Sequence, residues 1–487
     1  MTKQINLSRT PVVLATFVGI LLAITIPARS QTFTTFATLT STTGELPLTP
    51  LVQGLDGNLY GTAYDYGAYG GGTFFQLTPA GAVTALYSFC YNDNGNCPDG
   101  AYPQGTIALG TDGNFYGVTQ GGFEAAAGQG TVYKITPAGS MTVLHSFCMA
   151  TCTDGAYPTL GLTMSRSGDF YGLSNAPEDS EAFYGQVFKI SASGVFHEVL
   201  TVCPGTLCPA DAGPIGALLL SSGGAMVGPG PSAGYTDSPG ALYSMTPWGS
   251  PTVVYSFCDD STCHDGGGYI RTPVAQSASG QIYGTFTEGG IGAYCTQSGG
   301  CGTAFRVTPS GVFTKLHDFC SQAGCADGFN PSPLFLASDG NYYGTTGEGG
   351  VHGKGVLFRI TSSGRFSIVH SFTPADVYPP IPVSLTQATD GTLYGITAQT
   401  IYRVSLGLTP FVKTVLNSGA PDSAVTILGN NLTGATAVAF NGTAAAFTVV
   451  SATEITATVP SGATTGSIRV VTPTSTLNSN IAFQVLP

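Results

Sequence analysis

Apolar and polar residues alternate in short runs along most of this chain, and the runs return in groups of four. In the cleanest group, alternation over Gln104 to Leu109, Asn114 to Thr119, Gly130 to Thr136 and Met141 to Phe147 predicts four β-strands. Asp112-Gly113 and Pro137-Ala138-Gly139 predict tight hairpin turns, because Gly accepts the positive φ angles that such turns demand. A Gly-rich loop, 121 to 129, separates the middle two strands.

The group is one of a series. Aligning on the last residue of Asp56-Gly57-Asn58-Leu59-Tyr60-Gly61 finds Gly117, Gly172, Gly228, Gly284, Gly344 and Gly395, at intervals of 56, 55, 56, 56, 60 and 51 residues. Units of this length suit one four-stranded blade each, so the pattern predicts an all-β fold with a seven-bladed β-propeller over residues 31–406. The last unit lacks a fourth strand after Ile401-Tyr402-Arg403-Val404, whereas Thr32 to Leu39 looks like a spare one. The N-terminal strand is therefore expected to complete blade seven, with residues 33 to 39 pairing with 400 to 404 and leaving no open sheet edge.

What precedes that strand has a different character. Lys3 and Arg9 lead into an apolar run, Val12 to Ile26, followed by Pro27-Ala28-Arg29-Ser30. This predicts a signal peptide over residues 1–30, cut before Gln31, rather than a transmembrane anchor, which needs roughly 20 apolar residues. The mature chain is expected to be secreted, extracellular or on the cell surface, monomeric, and without a transmembrane anchor. Three of the 15 Lys and Arg lie in the leader against none of the 27 Asp and Glu, so the mature chain is more acidic than the formal −12 of the whole. Such a charge repels nucleic acid and anionic membranes.

The unit DGNLYGTAYDYGAYGGGTFFQLTPAGAVTALYSF, repeated from about residue 50 to 405, resembles the tandem repeats of secreted bacterial choice-of-anchor GloVer-repeat proteins. The resemblance implies export and surface display, and no particular chemistry. From about Gly407 charged residues become rare, and three segments stand out: Ser423-Ala424-Val425-Thr426-Ile427-Leu428-Gly429-Asn430-Asn431-Leu432, Val438-Ala439-Phe440-Asn441-Gly442 and Glu454-Ile455-Thr456-Ala457-Thr458-Val459-Pro460-Ser461-Gly462-Ala463. Residues 407–487 thus resemble an IPT/TIG immunoglobulin-like domain, which implies a β-sandwich used as spacer or binding module.

All 12 cysteines fall in close pairs: Cys90 with Cys97, Cys148 with Cys152, Cys203 with Cys208, Cys258 with Cys263, Cys295 with Cys301, and Cys320 with Cys325. They lack zinc-knuckle spacing, and in an exported chain six local disulfides are expected, with no metal site. The aspartates of the Asp-Gly turns read as turn formers. A second set, Asp99, Asp154, Asp265 and Asp327, follows the second cysteine of its loop, where turns are favoured and calcium is retained as an optional ligand. His145, His317 and His370 share one position with Tyr87 and Tyr255 and read as packing substitutions.

Because successive strands reverse, one face of the ring carries tight turns and the other the long Gly-rich loops and cysteine clips, making the loop face the expected binding face. Its aromatic and acidic residues, Tyr64, Tyr66, Tyr69, Phe123, Glu124, Tyr235, Glu288, Tyr294 and Glu348, are candidate ligand contacts. Aromatics beside carboxylates suit sugars, so a non-catalytic binding or adhesion protein recognising glycans is the leading expectation. A carbohydrate-active hydrolase or lyase using loop carboxylates is the alternative. Catalytic residues stay unassigned, and no cofactor is expected beyond the optional calcium.

Overall fold

The computed structural model describes residues 32–91, 97–121, 129–148, 152–175, 185–202, 216–230, 240–258, 265, 273–297, 299–376 and 384–487. The expected leader, residues 1–30, lies outside the described residues.

The described residues before 406 form seven four-stranded antiparallel sheets, one gaining a short extra strand at Phe329–Pro331. The second sheet has strands Ala101–Leu109, Phe115–Gly121, Thr131–Ile135 and Met141–Ser146, within a few residues of the expected runs. Each sheet shares a core with the next. Tyr60, Phe74 and Phe89 of the first pack on Phe115 and Tyr133 of the second, and similar clusters continue round to Leu59 and Phe75 against Tyr394, Ile396 and Ile401 of the last. The ring is therefore closed by apolar contact.

Closure by hydrogen bonding follows the expected route. Thr32–Thr38 pairs antiparallel with Thr400–Ser405, from Thr32 opposite Ser405 to Thr38 opposite Thr400, and so supplies the outer strand of the last sheet. Phe33 then stacks on His370 of the preceding sheet, with ring centroids 4.1 Å apart.

The recurring glycine has a steric cause. In every sheet it sits directly opposite an aromatic residue of the third strand: Gly61 faces Phe75, Gly117 Tyr133, Gly172 Phe188, Gly228 Tyr243, Gly284 Phe305, Gly344 Phe358 and Gly395 Tyr402. The ring lies across the glycine, and a Cβ on Gly284 would stand 2.5 Å from Phe305 Cζ. The turn aspartate is explained by hydrogen bonds. Asp56 accepts from the Asn58 amide at 3.1 Å, the Asn58 side chain at 2.7 Å and the Tyr60 hydroxyl at 2.7 Å, and Asp112 and Asp339 repeat this set. Burial alone would raise the Asp112 carboxyl, but bonds from Lys134, Asn114 and Tyr116 outweigh it and hold the group at about 2.

Inner strands are short, as in Thr163–Met164, Leu219–Leu220 and Ser384–Gln387. Pro50, Pro273 and Pro333 stand just ahead of two-residue inner strands and lack the N–H a ladder would need.

The C-terminal part is a β-sandwich. One sheet orders Lys413–Thr414, Ala424–Leu428, Glu454–Thr458 and Phe447–Val449, and the other Thr443–Ala444, Ala437–Phe440, Ile468–Val471 and Thr476–Asn478. Val425, Ile427, Val438, Phe440, Ile455 and Ile468 fill the space between them. It is seated on the tight-turn face of the ring: Thr453 donates its hydroxyl to the Leu55 carbonyl at 2.6 Å, and the Phe411 amide bonds the Thr389 carbonyl at 2.9 Å.

Candidate functional site on the loop face

Four cysteine clips lie within the described residues, Cys90–Cys97, Cys148–Cys152, Cys295–Cys301 and Cys320–Cys325, each pairing nearest neighbours as expected. Cys258 is also disulfide-bonded; Cys203, Cys208 and Cys263 lie outside the described residues. Cys90, Cys148, Cys258 and Cys320 hold φ between +50° and +69°, a costly region for a residue with a Cβ.

The second acidic set stabilises these corners. Asp99 accepts from the Tyr87 hydroxyl at 2.8 Å and the Tyr91 amide at 3.2 Å. Asp154 meets His145 Nε2 at 2.9 Å and the Cys148 amide at 3.0 Å. Asp265 accepts from Tyr255 and the Cys258 amide, and the fully buried Asp327 pairs with His317 at 2.9 Å and takes the Ser321 and Gln322 amides. In the sixth sheet, whose connection has no clip, Asp376 does the same for His370 and Thr373. The histidines do pack, His145 on Phe196 and His317 on Phe366 with centroids 3.9 Å apart, yet each also ties its ring nitrogen to a carboxylate, a polar role that the packing reading missed. Asp327 and Asp376 are both lowered: burial pushes each up, and the bonds from histidine and backbone amides more than reverse it.

The candidate contacts divide into two groups. Tyr64, Tyr66 and Tyr69 lie in the loop after the second strand of the first sheet. Tyr66 is 45% and Tyr69 42% exposed, and Tyr69 meets Tyr91, 66% exposed, edge to face at 5.4 Å. Tyr64 is turned inward, stacking on Tyr102 at 5.0 Å and donating to Gln120 at 3.0 Å, and burial raises its hydroxyl pKa. The loop is held by bonds from Gly67 N–H to the Ser41 carbonyl, from Tyr66 N–H to Asp65 Oδ1, and from Gly72 N–H to the Tyr66 carbonyl. Glu45 bridges Asp65 through the backbone and accepts from Gln399.

The second group is Glu288, Tyr294 and Glu348, all exposed. The Tyr294 amide bonds the Cys320 carbonyl at 3.0 Å and the Gly350 amide, two residues beyond Glu348, bonds the Cys325 carbonyl at 2.9 Å, whereas Gly289, next to Glu288, accepts from the Cys301 amide of the Cys295–Cys301 clip at 2.9 Å. Phe123, Glu124 and Tyr235 lie outside the described residues. Sequence reasoning missed Tyr91 and Tyr102; the only signal was that each belongs to the connection that the first clip closes.

Between the loops the ring axis opens into a cavity of about 580 Å³, lined by Leu48, Thr49, Pro50, Gln104, Leu160, Pro333, Phe335 and Leu385 among others, with no ionisable side chain among the described residues on its walls. Among the described residues no three His, Cys, Asp or Glu gather in a metal-holding group.

Repeated blades, glycine-centred packing and clipped corners define a repeat-built β-propeller with a sandwich domain behind it. The chain belongs to the Gloeobacter/Verrucomicrobia repeat family, whose model matches residues 18–176, 91–297 and 293–403. Residues 410–485 match the IPT/TIG domain. Among solved structures, that of streptogramin B lyase is similar at 13% identity, covering 77% of this chain and 97% of the other with a TM-score of 0.50. A fungal alcohol oxidase of the AA5 family, in complex with copper, is 12% identical over 91% of this chain and 98% of its own, with a TM-score of 0.48. These likenesses are of fold alone. No curated protein matches the chain.

Proposed function

We propose that the protein is exported and acts at the cell surface or outside the cell as a binding protein, taking neutral saccharides on the tyrosine patch around Tyr66 and Tyr69. The observation that carries this reading is the exposure of Tyr66 and Tyr69 on an anchored loop, with the exposed Tyr91 of the neighbouring clip against Tyr69 and with Asp65 and Glu45 close by. Aromatic faces cover the apolar faces of a sugar, and carboxylates accept from its hydroxyls. An anchored loop loses little freedom on binding. The net charge of −12 favours a neutral or cationic ligand over a polyanion. Disulfides and IPT/TIG architecture suit an extracellular setting.

The test is a glycan array with residues 31–487, followed by calorimetry on the best ligand. Tyr66→Ala and Tyr69→Ala should each weaken binding by about 1–2 kcal/mol, roughly 5- to 30-fold, with unchanged thermal melting. A glycan bound equally well by both variants would place recognition elsewhere.

A further inference from the structure

The opposite end of the ring axis holds a second cavity of about 400 Å³, roofed by the C-terminal domain. Its walls are mostly apolar, with Val52, Leu219, Leu220 and Leu336 from the inner strands and Val415 and Ile481 from the sandwich. In a chain of net charge −12, the only ionisable side chains among the described residues on those walls are two cations, Lys413 and Arg166.

Strand alternation explains how Lys413 comes to be there. Val412 is buried in the sandwich core, so the next side chain along points the other way, towards the ring. Among the described residues the Lys413 ammonium has no ion pair or hydrogen bond, and burial pulls it down to about 8. Arg166 donates to the Ser222 carbonyl and keeps further N–H groups for another acceptor. A second observation is independent of charge. Ser418, only 6% exposed, lines the same cavity, and its hydroxyl finds no partner. A buried hydroxyl left unpaired costs about 1–3 kcal/mol, which an acceptor in the cavity would recover.

We infer that this interdomain cavity binds a small organic anion with an apolar body, its oxyanion held by Lys413, Arg166 and Ser418 and its body against the inner-strand leucines. The site is separate from the tyrosine patch and does not depend on it. Since ring and sandwich both contribute walls, the bound anion also clamps the two domains together.

Octanoate, octanol and octylammonium are suitable probes for calorimetry on residues 31–487. Octanoate should bind about tenfold or more tightly than octanol, and octylammonium should not bind. Lys413→Met should lose about tenfold in octanoate affinity while Lys413→Arg retains it. As Arg166 is the only other ionisable wall group among the described residues, affinity should fall as the pH rises through 8, where Lys413 loses its charge. Octanoate should also protect Lys413 from acetylation, read by peptide mass mapping, which serves even if a variant folds poorly. Equal binding of octanol, an unaltered Kd in Lys413→Met, or acetylation at an unchanged rate would each overturn the inference.

Discussion

Replacing Gly344 by Ala isolates the steric rule that spaces the repeats. The residue lies opposite Phe358, and an added Cβ would stand 2.5 Å from that ring's Cζ, 3.0 Å from Cε1 and 3.2 Å from Cε2. Its φ is not in the left-handed region, so backbone strain does not contribute. Phe358 is fully buried, with Phe319 at 5.1 Å and Phe366 at 5.5 Å, and has little room to retreat. Overpacking of this kind costs about 1–3 kcal/mol, against about 0.4–1 kcal/mol gained by restricting the unfolded chain, a net destabilisation of about 1–2 kcal/mol. The assay is urea unfolding followed by far-ultraviolet circular dichroism with disulfides intact. Gly340→Ala is the contrasting control, because its φ is +76° with nothing within 4 Å of the added Cβ, so it costs about 1–2 kcal/mol through conformation alone. Combining each with Phe358→Leu separates the causes: the Gly344→Ala double variant should be less destabilised than the sum by at least about 0.5 kcal/mol, and the Gly340→Ala one additive. A neutral or stabilised Gly344→Ala, or additivity in both cycles, would refute the close-approach explanation.

Removing residues 31–38 should bare the edge of Thr400–Ser405 and the face of His370 that Phe33 covers, giving a protein that aggregates and exchanges its amide protons faster in the last sheet. Peptide mapping without reduction should recover Cys90–Cys97, Cys148–Cys152, Cys295–Cys301 and Cys320–Cys325, and a long-range bridge would contradict the local clips. Since the folded Asp112 carboxyl sits at about 2, below its ordinary 3.8, its stabilisation is complete above about 4 and disappears as the pH falls towards 2; Asp327 and Asp376 act in the same direction. Urea midpoints should therefore drop across that window, less steeply in Asp327→Asn. At neutral pH that substitution should cost about 2–3 kcal/mol, because it disturbs a buried carboxylate bonded to His317 and two amides.

Much of the ring was legible because its forces are local. A glycine and the aromatic opposite it lie 14 residues apart in the first sheet and 16 in the second, Gly61 with Phe75 and Gly117 with Tyr133, so packing leaves its mark within one repeat. The same holds for an aspartate that bonds residues two and four places on. Even the long-range join of Thr32–Thr38 to Thr400–Ser405 was visible, as one strand too few at one end and one too many at the other. The histidine–aspartate pairs were half legible: the shared position of His145 with Tyr87 pointed to packing, but a ring nitrogen and a hydroxyl reaching the same carboxylate needed the fold of the corner.

The seat of the C-terminal domain had no such mark. Thr453 and Leu55, which bond across the junction, are 398 residues apart, and neither belongs to a repeated motif. Lys413 likewise reads in sequence as one of the few charges on a surface strand, where an exposed lysine needs no explanation. Only the ring beneath it, with apolar inner strands and, among the described residues, no carboxylate on the cavity walls, turns that side chain into an unpaired, partly buried cation. Identical chemistry on the loop face would be solvated and unremarkable. The tight-turn face, which alternation alone marks as inert, therefore acquires a binding cavity from the second domain, while the loop face keeps the tyrosine patch, leaving the axis, among the described residues, with one charged, covered end and one open end whose walls carry no charge.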